Sequence, residues 1–161
     1  MISPKNKGMS GEYEMIVILQ GVVDKVYGVD EGGKSRIVLR RNVEQTRWKS
    51  GGVDEGGRGL SGGDIVGLNW CEVEVKRREK EEVGKWWAQV FEACRRRGEA
   101  EGRWIEPILV WRRNREPWKV RLMVRLKLEG EVCVPAVVTM EAFLYWFEKR
   151  LREERRKVEM G

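Results

Sequence analysis

Three side chains between positions 62 and 76 have the types and spacing for metal-assisted hydrolysis: Asp64, Glu74 and Lys76. The stretch runs Gly62-Gly63-Asp64-Ile65-Val66-Gly67-Leu68-Asn69-Trp70-Cys71-Glu72-Val73-Glu74-Val75-Lys76. Ile65 and Val66 are strand formers, and Cys71 to Lys76 alternates apolar with charged, so two short strands joined by a tight turn are predicted. Alternation sends Cys71, Val73 and Val75 to one face and Glu72, Glu74 and Lys76 to the other. A three-residue loop centred on Asn69 sets Asp64 opposite Glu74, with Cβ atoms about 5 Å apart. Two facing carboxylates destabilise a sheet unless a cation joins them, and oxygen ligands with room for water suit Mg²⁺. The same residues also describe an ordinary half-exposed strand with an aspartate in its turn.

Composition narrows the alternatives. The chain has no histidine, which removes Ser-His-Asp and Cys-His catalysis and most zinc sites. Hydrolysis here must run on carboxylates, lysine and a hard metal ion. A net charge of +6 with eight tryptophans fits a polyanionic partner, although dense Glu/Lys/Arg usage is equally a mark of hot environments. Cys71, Cys94 and Cys133 are odd in number and lack metal-site spacing, which predicts reduced, mostly buried thiols and a cytoplasmic setting. No run of 18 apolar residues points to a membrane, and Met1-Ile2-Ser3-Pro4-Lys5 does not open a signal peptide. The Gly-rich loop is a weak signal for a P-loop, since no Gly-Lys-Ser/Thr opens a helix.

The elements that must position the three side chains read as one domain over residues 1–161. After a polar lead-in (1–8), a helix is predicted over 12–27 on the stripe Met15, Ile16, Leu19, Val22, Val23 and Val26. A strand follows over 35–41, then a long glycine-rich loop over 42–63. Within it, Gly52-Val53-Asp54-Glu55-Gly56-Gly57 repeats the turn Gly28-Val29-Asp30-Glu31-Gly32-Gly33, a likeness that similar turn chemistry or a small duplication would produce. Past the hairpin, Val83, Trp86, Trp87, Val90 and Cys94 predict a helix over 81–97 with Gly98 as its C-cap. Strands are expected over 104–111, 118–128 and 131–138, the last interrupted by Pro135. Thr139 caps a closing helix (139–161) that buries Met140, Phe143, Leu144, Phe147 and Leu151.

Asp, a gap of about ten residues and then Glu-x-Lys resembles the signature of the PD-(D/E)XK nucleases, with Gly63 where that signature often has proline. The helix-strand-strand-strand-helix-strand order read above is also theirs. The resemblance therefore implies an α/β restriction-endonuclease-like core (αβββαβ), a central mixed sheet flanked by helices, with an extra C-terminal strand pair and helix. Over most of residues 5–120 it extends to archaeal and phage Holliday junction resolvase-like nucleases. Lys7-Gly8-Met9-Ser10-Gly11-Glu12 looks like the opening of their first helix, whose glutamate completes the metal site; Glu14 competes with Glu12 for that role. The implied catalytic set is Glu12, Asp64, Glu74 and Lys76. The implied ligands of Mg²⁺, with Mn²⁺ able to substitute, are Glu12, Asp64, Glu74 and the backbone carbonyl of Val75. Asp54 also follows a Ser-Gly-Gly, but no strand pair follows it, which favours Asp64.

Arg41-Asn42-Val43-Glu44-Gln45-Thr46-Arg47 resembles the Arg-Asn-x-x-Gln-x-Arg segment of phage members. Its guanidiniums and amides suit phosphate oxygens, so Arg41, Asn42, Gln45 and Arg47 are expected DNA contacts. Gln89 stands where several such nucleases keep a glutamine, although Ala93 replaces the tyrosine that accompanies it in the recombination-exonuclease version. Arg112, Arg113 and Arg115 lie in a basic turn before Pro117-Trp118 that also resembles phage members, and with Gln89 they are further expected DNA contacts. The expectation is a Mg²⁺-dependent endonuclease on branched DNA, with no membrane partner. It would act as a homodimer whose subunits cover apolar surface left over at Ile108–Trp111 and Phe143–Phe147. The alternatives are a nicking or restriction-type nuclease on the same fold and a non-catalytic DNA-binding module. The complete Asp-Glu-Lys set argues against the module.

Overall fold

The computed structural model describes residues 4–42 and 63–161. In chain order its elements are α1 (Pro4–Tyr27), β1 (Arg40–Arg41), β2 (Ile65–Val66), β3 (Cys71–Arg77), α2 (Val83–Glu101), β4 (Glu106–Arg112), β5 (Lys119–Lys127), β6 (Glu131–Thr139) and α3 (Met140–Met160). The strands form one sheet in sequence order. Every neighbouring pair is antiparallel except β3 and β4, which run parallel with α2 as the crossover. The expected α/β core, with a C-terminal strand pair and helix added, is the observed one.

The helices cover both faces of the sheet. Met15, Leu19, Val23 and Val26 of α1 recur at helical spacing and are buried together with Phe143, Phe147 and Leu151 of α3. They pack on Val73, Val75, Ile108, Val110, Val120 and Leu122. On the other face, Trp86, Trp87, Val90 and Cys94 of α2 close over Leu109 and Trp111. Strand β4 is therefore buried on both sides, which is why Ile108-Leu109-Val110 shows no alternation. Residues 108–111, Phe143 and Phe147 all lie inside this core. They are not left over for a partner subunit, contrary to the expectation from sequence.

Other expectations are corrected by tertiary contacts. Helix α1 starts at Pro4 rather than Glu12, since proline suits the first helical turn and Gly11 is packed rather than disruptive. A Cβ there would lie 3.3 Å from Arg77 Cβ and 3.5 Å from the Trp118 ring. The strand expected over 35–41 shrinks to Arg40–Arg41, because Gln20 takes over the ladder's work. Its Oε1 accepts the Leu39 N–H at 2.8 Å and its Nε2 donates to the Ile37 carbonyl at 2.8 Å. Helix α2 ends at Gly102, in the left-handed conformation (φ 67°), not at Gly98. Gly98 sits within the helix, where a Cβ would lie 2.6 Å from the Arg103 carbonyl oxygen. Strand β6 runs through Pro135, paired only with β5, so the missing N–H falls on the outer edge. Cys133 is exposed, whereas Cys71 and Cys94 are buried.

Candidate active site

The β2–β3 hairpin brings the two carboxylates together. Ile65 pairs with Val73, a register symmetric about Asn69, which sets Asp64 opposite Glu74. The Asp64 N–H donates to the Val73 carbonyl at 2.8 Å. Asp64 Oδ2 accepts the Val75 N–H at 2.7 Å, so the carboxylate is fixed against the strand that carries Glu74. Lys76 Nζ lies 2.7 Å from Glu74 Oε1. Burial pushes the Glu74 carboxyl up to about 7; the Asp64 charge adds to the rise and Lys76 opposes it.

Glu12 reaches the same place from α1. Burial raises its carboxyl above the ordinary value, the hydrogen bond from Arg41 pulls it down, and the charges of Asp64 and Lys76 act in opposite senses. Arg41 Nε donates to Glu12 Oε2 at 2.6 Å, and the same guanidinium lies over the Tyr13 ring. Glu14, one residue further along than Tyr13, turns elsewhere. It accepts from Arg112 Nη2 at 2.5 Å and from Trp118 Nε1 at 3.3 Å. Of the two glutamates weighed from sequence, Glu12 is the one that shares the field of Asp64 and Lys76.

Behind the site stands a buried pair that the sequence did not reveal. Glu72, fully buried, accepts from Arg97 Nη1 at 2.6 Å and from the Gly63 N–H at 2.7 Å. Arg97 also donates to the Asn69 carbonyl at 2.9 Å and to Glu101 at 3.0 Å. The pair thus ties α2 both to the hairpin's turn and to the residue before Asp64. Glycine is required at 63: a Cβ would lie 2.7 Å from Glu72 Oε2 and 3.0 Å from the Val73 backbone. Asn42 adds a second clamp, its Nδ2 donating to the Gly63 carbonyl at 2.9 Å and its N–H to the Asp64 carbonyl at 2.9 Å. One signal for Arg97 was in the sequence, because it continues the stripe of Trp86, Val90 and Cys94.

Among the described residues, no group of three or more acidic, cysteine or histidine side chains stands ready to hold a metal ion. The site offers a pair of facing carboxylates, one of them raised by burial and by its neighbour's charge. That donor set fits a hard cation that keeps most of its water and takes one or two carboxylates.

The family model described as "Phage putative PDDEXK endonuclease" matches residues 3–158. The chain belongs to that family. No curated protein and no solved structure matches it. As a PDDEXK family member it is a nuclease, and its sheet and helices form a restriction-endonuclease-like fold. No helix among the described residues is long and apolar enough to cross a membrane.

The expected DNA contacts of this PDDEXK chain fall in different surroundings. Gln89 is exposed on α2 and lines a cleft that opens onto Lys76. Arg41 and Asn42 are engaged at the site itself. Arg112 is paired with Glu14 and stacked 4.7 Å from the Trp118 ring centroid. Arg113 lies 3.6 Å from Glu81. Arg115 is exposed at the tip of the turn, with φ 61°. Gln45, Arg47 and Asp54 lie outside the described residues.

Proposed function

We propose that this nuclease is a divalent-metal-dependent DNA endonuclease selective for branched DNA. The observation that carries the catalytic part is Asp64 facing Glu74 with the Lys76 ammonium 2.7 Å from Glu74. Asp64 and Glu74 would hold Mg²⁺, with the Val75 carbonyl and Glu12 as further ligands, and Mn²⁺ would substitute. When bound, the ion supplies an acidified water and offsets charge on the leaving 3′-oxygen. Lys76 orients the attacking water and neutralises negative charge gathering on the phosphate in the transition state. Arg41 exchanges Glu12 for a phosphate when DNA arrives, which frees that carboxylate for the ion.

Selectivity for branched DNA rests on the likeness of residues 5–120 to resolvase-like nucleases and on two sites acting together in a homodimer. The surface that supports a dimer is the distal part of the β5–β6 hairpin. There Leu126 pairs with Val132, and these two and Leu128 are exposed. Such a face suits a second copy.

Incubating the purified chain with four-way junction, flap and linear duplex DNA, with and without Mg²⁺, tests the whole reading. Asp64→Ala, Glu74→Ala and Lys76→Ala should each lower cleavage at least about a thousandfold, while Asp54→Ala stays active. A dead Asp54→Ala beside an active Asp64→Ala would move the site to the other aspartate. A monomer in sedimentation that cuts duplex and junction equally well would remove the branched-DNA dimer and leave the nuclease standing.

A further inference from the structure

Beyond the carboxylate site, a cleft of about 410 Å³ opens where β3 hands over to α2. Lys76, Trp86 and Gln89 are among the residues that line it. Its charge is lopsided. Arg78, Lys80 and Lys85 line it against Glu79 and Glu82, and the three cations are exposed. Other arginines already hold carboxylates, Arg41, Arg95, Arg96, Arg97, Arg112 and Arg150 among them. Among the described residues, Arg78, Lys80 and Lys85 have no ion pair with a carboxylate. The start of α2 opens into the same space, and its N-cap Glu82 makes no side-chain hydrogen bond to the first turn. The N–H groups of a helix's first turn favour an anion.

We infer that this cleft seats the phosphodiester backbone of the strand being cut, with Arg78, Lys80 and Lys85 as its phosphate contacts. The inference rests on the nuclease reading above and adds to it a direction for the DNA. From the carboxylates the strand runs past Lys76 and across the start of α2. Arg112 and Arg113 of the basic turn, which hold Glu14 and Glu81, are given no phosphate on this path. Three exposed cations with no carboxylate partner among the described residues, beside a helix start that the Glu82 side chain does not cap, fit several successive phosphates better than one isolated anion.

The test is DNA binding by the full chain in EDTA, where no strand is cut, followed by fluorescence anisotropy across a salt series. Wild type is compared with the triple variant Arg78→Gln/Lys80→Gln/Lys85→Gln and with a charge-matched control on α3, Lys149→Gln/Arg156→Gln/Lys157→Gln. For duplex DNA the slope of log affinity against log salt should flatten by about 0.9 for each contact removed, and by about 0.7 for a single strand. The control should keep the wild-type slope. Thermal melting confirms that both variants fold, as expected for substitutions at exposed positions. Equal loss in the triple variant and the control would overturn the cleft and leave the carboxylate site untouched. A wild type that binds no DNA would overturn the nuclease reading with it. At matched ionic strength, inorganic phosphate should displace DNA equally from wild type and triple variant. Displacement seen only with wild type would mark a seat for free phosphate instead of a strand.

Discussion

Glu72 and Glu74 sit two residues apart on one face of one strand, and their surroundings divide them. Glu72 has a matched counter-charge at 2.6 Å in Arg97 and an N–H donor from Gly63. Glu74 is also largely buried, but it faces a second carboxylate across the hairpin and shares only the end of a flexible lysine. Burial with full pairing makes a fixed strut. Burial against a like charge leaves a group whose ionised form improves when a cation arrives. The same amino acid thus serves as scaffold at one position and as chemistry at the next. What decides is whether the neighbour on the far side donates or repels.

The largest expected difference lies in stability against turnover. Glu72→Ala leaves Arg97 buried without its main partner, which should cost about 3–5 kcal/mol of folding free energy. Glu74→Ala should abolish cleavage yet melt at or above the wild-type temperature in EDTA. Melting and cleavage measured on both variants decide the comparison. A Glu72→Ala protein as stable as wild type would show that the strut is not one.

Dependence on pH sharpens the contrast. The Glu74 carboxyl, at about 7, holds its proton more tightly than an unfolded glutamate with the ordinary value of 4.5. Folding of the metal-free protein therefore takes up a proton between these values, and stability falls as pH rises from about 4.5 to about 7. Glu74→Gln should remove that slope. Its advantage over wild type in EDTA should be absent below pH 4.5 and grow to on the order of 3 kcal/mol above 7. Chemical denaturation at pH 4.5 and 8 measures it. The same advantage at both values would show that the Asp64 facing and burial do not act on Glu74.

The smallest expected effect concerns what feeds the strut. Glu101→Gln removes one of the charged partners of Arg97 but leaves Glu72 in place. It should cost about 0.5–1.5 kcal/mol and leave cleavage unchanged. A loss approaching that of Glu72→Ala would move the weight of the network from Glu72 to Glu101.

What could be read from the sequence follows the range of the interaction. The 64–74 opposition was legible because strand alternation and a short turn fix a register locally. The stripes of α1, α2 and α3 and the Thr139 cap, whose Oγ1 accepts the Ala142 N–H, were legible for the same reason. Gln20 was not. An amide in a helix carries no sign that it will satisfy backbone groups seventeen and nineteen residues away. Glu72 read as one more outward charge, because its partner comes from a helix 25 residues on. The positions of Gln45 and Arg47 fall outside the described residues, and their expected contacts stand on resemblance alone.

The close approach at Gly63 also limits the order in which this site can change. Proline, common at that place in the PD-(D/E)XK signature, would delete the N–H that Glu72 accepts and put ring carbons where its Oε2 lies. Arriving first, it would strand a buried carboxylate and Arg97 with it. Arriving after position 72 has shortened or lost its charge, it meets neither obstacle. Positions 63 and 72 are therefore expected to change together in descent. Family members with proline at the first should lack glutamate at the second, and an alignment of this family would show the two columns changing together.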